Sequence, residues 1–360
     1  MLTVRFVCLV VSVFMAIFAH RNVIAMKKIS KISLLCLAAA LLAGGVWAWL
    51  VPMCRYSGRD ARVYIPADAA SEEWRDSLSS ALGQGFADKV YASLRLMGEE
   101  PRYGSYVINE GTPAFRAARN MAKGRQTPVR VTINNMRLMN DLATRVCRRL
   151  EADPRDFLQA CDTMLPAMGF APEQFPAAFL PNTYEYYWNA PACGVVRDLV
   201  RWRNKWWEQD SRIDKAKKLG LTPVEVATLA SIVEEESAKA DELPKIARLY
   251  LNRLKRGMPL QADPTVKFAV GDFSLRRILG AHLKTPSAYN TYLAPGLPPG
   301  PIRIASQQGI DAVLNAPEHN NLYMCAREDF SGYHRFAETY AEHMRNARAY
   351  QAALNKLNIK

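Results

Sequence analysis

The chain has 360 residues, 49% of them hydrophobic and 22% charged, which suits an N-terminal anchor followed by one or two globular domains. Its net charge of +13 would suit nucleic acid, anionic lipid or an acidic wall polymer. However, it has neither zinc-finger spacing nor an aromatic-basic RNA-binding pattern, so no nucleic-acid partner is predicted. The seven cysteines form no CxxC pair and the five histidines are scattered, so neither a metal nor another cofactor is predicted. Pairing among Cys147, Cys161 and Cys193 stays open.

The first predicted element is a membrane span. Residues 33–51 form a near-continuous apolar run of nineteen residues, which is long enough to cross a bilayer. Lysines at 27, 28 and 31 precede the run and favour a cytoplasmic N-terminus. We therefore predict a tail and single-pass anchor at residues 1–56, with the rest of the chain outside the cytoplasmic membrane. Signal-peptide cleavage near 43–45, a second span in the upstream run and a true start at Met26 remain open.

A small α+β module is predicted next, at residues 57–133. Its elements are a strand at 62–66, helices at 71–82 and 86–98, a strand at 103–108, a helix at 112–122 and a strand at 128–133. Helices then dominate to about residue 240, so residues 134–360 are predicted to form a mainly helical, mixed α+β domain. The predicted fold class is therefore α+β.

Trp202 and Trp206 lie four residues apart and share one face of a predicted helix that also carries Arg and Lys. The favoured interpretation is an aromatic pair that faces the core beneath a basic outer face. The alternative is a surface for stacking on sugars or for contact with a membrane.

One glutamate stands where a surface residue is not expected. Thr222 is a predicted N-cap, followed by Pro223, and Glu225 completes a capping box. When the helix is wound at 100° per residue, Glu236 falls inside the apolar stripe that begins at Val226, while its two preceding glutamates fall at the flanks. Burial raises the pKa of a carboxyl group, and a general acid must still be protonated near neutral pH. The simpler alternative is a buried glutamate paired with an arginine.

Several polar segments follow this helix. Asp241 is predicted to cap a second helix that runs to Gly257, and QADPT at 261–265 is predicted to be a polar turn. Further on come PSAYNTY at 286–292 and the stiff loop GLPPGPI at 296–302. Flat aromatic rings and amide or hydroxyl donors beside an acid are typical of a saccharide cleft. The candidate substrate-binding residues are Gln261, Asp263, Thr265, Tyr289, Asn290 and Tyr292.

Six segments follow one another over about residues 225–345: LASIVEEES, NRL, MPLQADPTV, TPSAYNTY, GLPPGPI and HRF. In their order and spacing they resemble the endolytic murein transglycosylase (YceG-like) family. The segment LPNTYEY resembles the family's Pro-Asp-Thr-Tyr segment, with Asn182 where the family usually has Asp. The weaker match at 60–133 resembles the family's LysM-like module. A further departure is Glu235, which stands where the family commonly has Lys.

The resemblance implies cleavage of peptidoglycan between N-acetylmuramic acid and N-acetylglucosamine, with a 1,6-anhydro product and no cofactor. It places the family's catalytic glutamate at Glu236, the residue that the helix pattern also selects. It further implies action on nascent glycan strands beside peptidoglycan synthases. Two rival functions stay open: a lysozyme-like hydrolase that uses Glu236 and Asp263 with water, and a non-catalytic wall-binding scaffold.

Overall fold

The computed structural model describes residues 36–45, 54–67, 71–275 and 277–356. Most of the predicted anchor, residues 1–56, lies outside these ranges; within its apolar run at 33–51, the described residues 36–45 are helical. Within the described ranges, no helix is both long enough and apolar enough to cross a membrane. The described cysteines, which include Cys147, Cys161 and Cys193, are unpaired.

The described chain is mainly helical, with six short strands, which confirms the predicted α+β class. The strands form three two-stranded sheets, β1–β2, β3–β4 and β5–β6, of which the last two are antiparallel. The strands are β1 (Ala61–Ile65), β2 (Gly104–Ile108), β3 (Val129–Ile133), β4 (Asn182–Tyr186), β5 (Tyr323–Ala326) and β6 (His334–Ala337). Beyond the helical residues 36–45, the α-helices are α1 (Ser71–Leu82), α2 (Gln84–Met97), α3 (Ala114–Ala122), α4 (Met139–Cys147), α5 (Pro154–Ala167), α6 (Ala192–Glu208), α7 (Arg212–Lys218), α8 (Pro223–Glu236), α9 (Leu243–Lys255), α10 (Asp263–Val270), α11 (Gln307–Leu314) and α12 (Tyr340–Lys356).

The chain forms two compact units. The first contains Ser71–Arg102 and Val107–Lys123, which hold α1, α2 and α3, and the second contains the chain from Gly124 onwards. Elements of the predicted module appear in the predicted order, within about two residues of the predicted bounds. The predicted module ends at residue 133 and so includes β3, but the hydrogen-bonding partner of β3 is β4, with Val131 opposite Tyr184.

Helix α8 runs through the core of the second unit. The hydroxyl of Thr222 accepts a hydrogen bond from the Glu225 amide at 3.2 Å, and the Glu225 carboxylate accepts one from the Thr222 amide at 2.7 Å. This confirms the predicted capping box. The predicted single apolar stripe is wrong, because all residues from Val226 to Val233 are buried. The reason is tertiary: α9, α10 and α11 all pack against α8, together with the 3₁₀ helix Pro172–Ala178.

The predicted cap of α9 is also wrong. The helix begins at Leu243 after a turn in which the Glu242 amide donates to the Lys239 carbonyl at 3.0 Å. Asp241 therefore lies outside the helix, and its carboxylate accepts a hydrogen bond from the Tyr333 hydroxyl at 3.2 Å. The predicted turn QADPT is half right, since Asp263 begins α10 while Gln261 keeps a left-handed backbone with φ of 52°.

The favoured interpretation of the two tryptophans on α6 is wrong for one of them. Trp202 is 51% exposed, whereas Trp206 is partly buried against the core. The fully buried indole of this helix is the adjacent Trp207, which is 2% exposed. Trp207 lies five residues after Trp202, so the buried face of α6 is rotated away from Trp202.

Candidate active site

A cavity of about 320 Å³ opens where the C-terminal end of α8 meets α9, α10 and the β5–β6 hairpin. It lies within the second unit and contains Glu236 together with three of the predicted substrate-binding residues. Its principal polar lining consists of Glu236, Tyr250, Arg253, Gln261, Asp263, Tyr292, Tyr323, His334 and His343.

Glu236 is the last residue of α8, and its Oε1 accepts a hydrogen bond of 2.7 Å from the Tyr250 hydroxyl on α9. Burial raises the pKa of Glu236 from 4.5 to about 7. The hydrogen bond from Tyr250 and the proximity of His334 oppose this rise, whereas the charges of Asp263 and Glu235 add to it. Near neutral pH, Glu236 is therefore present in both its protonated and its ionised form, as a group that donates and then accepts a proton requires.

The side chains of the two neighbouring glutamates make hydrogen bonds outside the cavity. Glu235 accepts hydrogen bonds from the guanidinium groups of Arg137 at 2.7 Å and Arg303 at 2.5 Å. Glu234 accepts hydrogen bonds from the amide and hydroxyl of Ser306, at the start of α11, and from the Asn135 side chain at 3.2 Å. Glu236 is thus the glutamate of this triplet that lines the cavity, and its catalytic role remains a prediction.

Asp263 is the second carboxylate of the cavity. It is exposed, and its Oδ1 accepts a hydrogen bond of 2.7 Å from the Tyr292 hydroxyl. The Gln261 side chain accepts a long hydrogen bond of 3.4 Å from Arg253, and its backbone amide donates to the Thr291 carbonyl at 3.1 Å. Gln261, Asp263 and Tyr292 therefore present polar groups to a molecule in the cavity, and their role in binding remains a prediction.

The other three predicted binding residues do not line the cavity. Thr265 is fully buried, and its hydroxyl contacts the Ala262 carbonyl and the Thr291 hydroxyl. Asn290 is also fully buried, and its side chain donates to the carbonyls of Leu283 and Thr285, both at 2.9 Å. The Tyr289 ring packs against Phe268 with 4.7 Å between ring centroids. These residues hold the segments that carry Gln261, Asp263 and Tyr292.

Sequence reasoning missed several residues of the cavity. Tyr250 lies on the helix predicted after Asp241, but it is not among the candidate binding residues. Arg253 is buried and donates hydrogen bonds of 2.7 Å to the carbonyls of both Leu260 and Leu322. His334 lines the cavity, and its Nδ1 lies 2.9 Å from the carboxylate of Glu242, which is 3% exposed. A usable signal was polarity on buried positions of α9, since Tyr250 and Arg253 fall three residues apart on one face.

Replacing Tyr250 with Phe tests the environment of Glu236. The Tyr250 hydroxyl lowers the pKa of Glu236, so its removal should raise this pKa above 7. If the protonated form of Glu236 starts the reaction, activity should persist to higher pH. The alkaline limb of the plot of kcat/KM against pH should therefore move to higher pH. The matched control is Tyr323→Phe, which removes a hydroxyl from another tyrosine of the cavity. An alkaline limb that stays in place or moves downward in Tyr250→Phe would contradict the assignment.

Comparison with known proteins shows the family of the chain. A profile of the YceG-like family matches residues 63–349. An endolytic murein transglycosylase of Bacillus subtilis is 33% identical over 179 residues, and one of Streptococcus pneumoniae is 35% identical over 134 residues. These alignments cover 49% and 36% of this chain but only 48% and 24% of the two relatives.

The fold has a counterpart of known structure. A YceG-like protein of Listeria monocytogenes superposes with a TM-score of 0.52 at 22% identity, over 80% of this chain and 98% of the other. At this identity the likeness concerns the fold alone. The family profile, in contrast, covers most of the chain and includes both α8 and the cavity. The chain therefore belongs to the YceG-like family.

Proposed function

We propose that this protein is a lytic transglycosylase that cleaves peptidoglycan glycan strands internally, between N-acetylmuramic acid and N-acetylglucosamine. The observation that carries the proposal is Glu236, a carboxyl group with a pKa of about 7 at the wall of a polar cavity. Further support comes from the named activity of the relatives in Bacillus subtilis and Streptococcus pneumoniae.

In the proposed reaction, protonated Glu236 donates its proton to the glycosidic oxygen, and the bond from that oxygen to C1 of the muramoyl sugar breaks. The C6 hydroxyl of the same sugar then bonds to C1, and the Glu236 carboxylate accepts the hydroxyl proton. The enzyme returns to its protonated state, and no water is consumed. A pKa near 7 suits both transfers because neither form is strongly favoured.

One carboxyl group suffices for this scheme. Glycosidases that use water or a covalent intermediate need a second carboxylate as base or nucleophile. Here the attacking hydroxyl belongs to the substrate, so its proximity replaces the activation of water. Asp263 is then a binding group, and its charge helps to keep Glu236 protonated. In the rival hydrolase, Asp263 would instead activate a water molecule.

Mass analysis of the products separates these functions. Purified glycan strands digested by the protein should yield fragments that end in 1,6-anhydro-muramoyl sugar, each lighter by one water than the corresponding hydrolysis product. Reducing ends would show that water is the nucleophile and would assign Asp263 the role of base. Strands that bind but are not cut would favour the wall-binding scaffold.

We also propose that the protein is a single-pass protein of the cytoplasmic membrane, with residues 57–360 outside it. The apolar run at 33–51 after lysines at 27, 28 and 31 supports this topology. A reporter fused after Lys360 should be active only outside the cytoplasmic membrane, and the chain should stay in the membrane fraction after a high-salt wash. Release of the full-length chain by that wash would contradict the anchor.

A further proposal concerns partners. An enzyme anchored at the membrane would meet glycan strands as peptidoglycan synthases produce them, and would cut them before cross-linking is complete. Loss of the protein should therefore lengthen glycan strands. Strand lengths that are the same in a deletion strain and its parent would count against this role.

The strand–helix–helix–strand order of β1, α1, α2 and β2 supports a LysM-like wall-binding module, as the resemblance implies. If so, removal of the module should weaken retention of the protein on isolated cell walls. Unchanged retention would contradict a LysM-like role for this region.

A further inference from the structure

A second cavity, of about 200 Å³, lies beside α6 and β4 in the second unit and shares no residue with the cavity at Glu236. Its aromatic lining consists of Trp202, Trp206 and Tyr184, and its amide lining of Asn182, Gln209 and Gln307. Lys205 and Leu180 complete it, so that no carboxylate is among its lining residues. We refer to it as the tryptophan cavity.

The walls of the tryptophan cavity are held in place by contacts within the fold. The Arg212 guanidinium lies 3.8 Å from the centre of the Trp206 ring and is itself bound by Asp311 at 2.9 Å. The Tyr184 hydroxyl donates to the Leu180 carbonyl at 2.9 Å. A ligand would therefore meet a preformed surface and would not have to order these side chains.

Trp202 is the exposed part of this surface. Its indole is 51% exposed, and the Lys205 ammonium lies 5.6 Å from the ring centre. An aromatic ring held half in solvent, beside amide groups that donate and accept hydrogen bonds, matches the apolar faces and N-acetyl groups of amino sugars. Because Lys205 is positively charged and no carboxylate is among the lining residues, the cavity suits a ligand that carries carboxylates.

We propose that the tryptophan cavity binds a sugar unit of the same peptidoglycan strand that is cleaved at Glu236, at a distance from the scissile bond. Trp202 stacks on the sugar ring, and Lys205 pairs with a carboxylate of the strand. This inference rests on the proposed function. Gln307 of the tryptophan cavity follows Ser306, whose amide donates a hydrogen bond to Glu234, two residues before Glu236.

Binding away from the cleavage point has a kinetic signature. A contact made equally in the ground state and the transition state lowers KM without changing kcat. Loss of the indole removes the apolar face on which the sugar ring stacks, so it should weaken strand binding about tenfold, which corresponds to about 1.4 kcal/mol. The effect should appear with long strands and disappear with fragments too short to reach both cavities.

The test is Trp202→Ala in the full-length protein, with Tyr187→Ala as the matched control. The exposed fraction of Tyr187, 54%, is similar to the 51% of Trp202, and Tyr187 lines neither cavity. Binding to purified glycan strands is measured in the Glu236→Gln background, where cutting is blocked, and KM is measured with Glu236 intact. We expect about tenfold weaker binding and a higher KM on long strands for Trp202→Ala, and no change for Tyr187→Ala.

Two results would overturn the inference. One is strand binding and KM that are the same in Trp202→Ala and Tyr187→Ala. The other is a Trp202→Ala protein that loses binding to vesicles of anionic phospholipid but keeps its affinity for glycan strands, which would identify a membrane-contact surface. Failure of the proposed function is a separate result. Strands that bind through Trp202 but are never cut by the wild type would support the binding site and contradict the proposed catalysis.

Discussion

Replacing Glu236 with Gln should lower the rate of strand cleavage by about 10²–10⁴-fold, the usual contribution of a general acid-base group. Gln keeps the size of the side chain and accepts the hydrogen bond from Tyr250, but it has no proton to transfer to the glycosidic oxygen. The measurement is kcat on purified strands. Cleavage at the wild-type rate would remove Glu236 from the mechanism, whatever the family of the chain.

The adjacent glutamates provide controls of identical chemistry. Glu234→Gln and Glu235→Gln make the same change within one helical turn, but their side chains contact Ser306 and two arginines and do not line the cavity. Each should reduce activity far less than Glu236→Gln. If either variant lost as much activity as Glu236→Gln, the activity would depend on the structure of the helix end. Glu236 would then have no special chemical role.

Glu236→Gln should also change how the stability of the protein depends on pH. The pKa of Glu236 is about 7 in the folded protein and about 4.5 when unfolded, so the folded state binds the proton more tightly. Between these values stability falls as pH rises, because ionisation of a buried carboxyl group is unfavourable. Gln does not ionise, so Glu236→Gln should melt above the wild type at pH 8 and close to it at pH 4. Such a result would also demonstrate that the variant is folded.

The second large effect is expected from Arg253→Met. The guanidinium of Arg253 is buried and donates to the carbonyls of Leu322 and Leu260, both at 2.7 Å, and of Pro259 at 3.1 Å. Met has similar length but no donor, so these carbonyls would lose their partners. Hydrogen bonds from a charged donor contribute about 1.5–3 kcal/mol each. Because the three bonds share one guanidinium group, their contributions are not additive, and we expect a loss of about 3–5 kcal/mol in the free energy of unfolding.

The measurement is the midpoint and slope of urea denaturation. Arg256→Met is the matched control, because Arg256 follows the same helix and is exposed. It should change stability by less than about 0.5 kcal/mol. Equal stability of the two variants would show that Arg253 does not join α9 to the loop of Gln261. If Arg253→Met folds, the displaced Gln261 should weaken strand binding.

Local patterns predicted the secondary structure well where chain neighbours decide it. Thr222, Pro223 and Glu225 start α8 through contacts made within one turn, so their spacing is sufficient evidence. Helical periodicity also separates Glu236 from Glu234 and Glu235, which lie at other angles around α8. The predicted cap at Asp241 was wrong because a turn precedes α9 and Glu242 is the residue before its first turn. Asp241 lies outside the helix and accepts a hydrogen bond from Tyr333.

Burial was harder to predict because it depends on elements distant in the sequence. The apolar stripe of α8 becomes a helix buried on all sides, since α9, α10 and α11 surround it. Trp202 and Trp207 are both large and apolar, yet only the second is buried. Which face of α6 meets the core is set by the elements that pack against it, and periodicity alone does not identify them.

By itself, the sequence determined the fold class, the helix that carries the acid, the selection of Glu236 as the candidate acid and the family resemblance, because each depends on residues close together in the chain or on motifs in a fixed order. Only the tertiary structure decided which polar residues surround that acid. Tyr250, Asp263 and His334 lie on α9, α10 and β6, and they affect the pKa of Glu236 through space. It also decided that Thr265 and Asn290 support the loops from within, because burial and hydrogen-bond partners arise from packing between segments far apart in the chain.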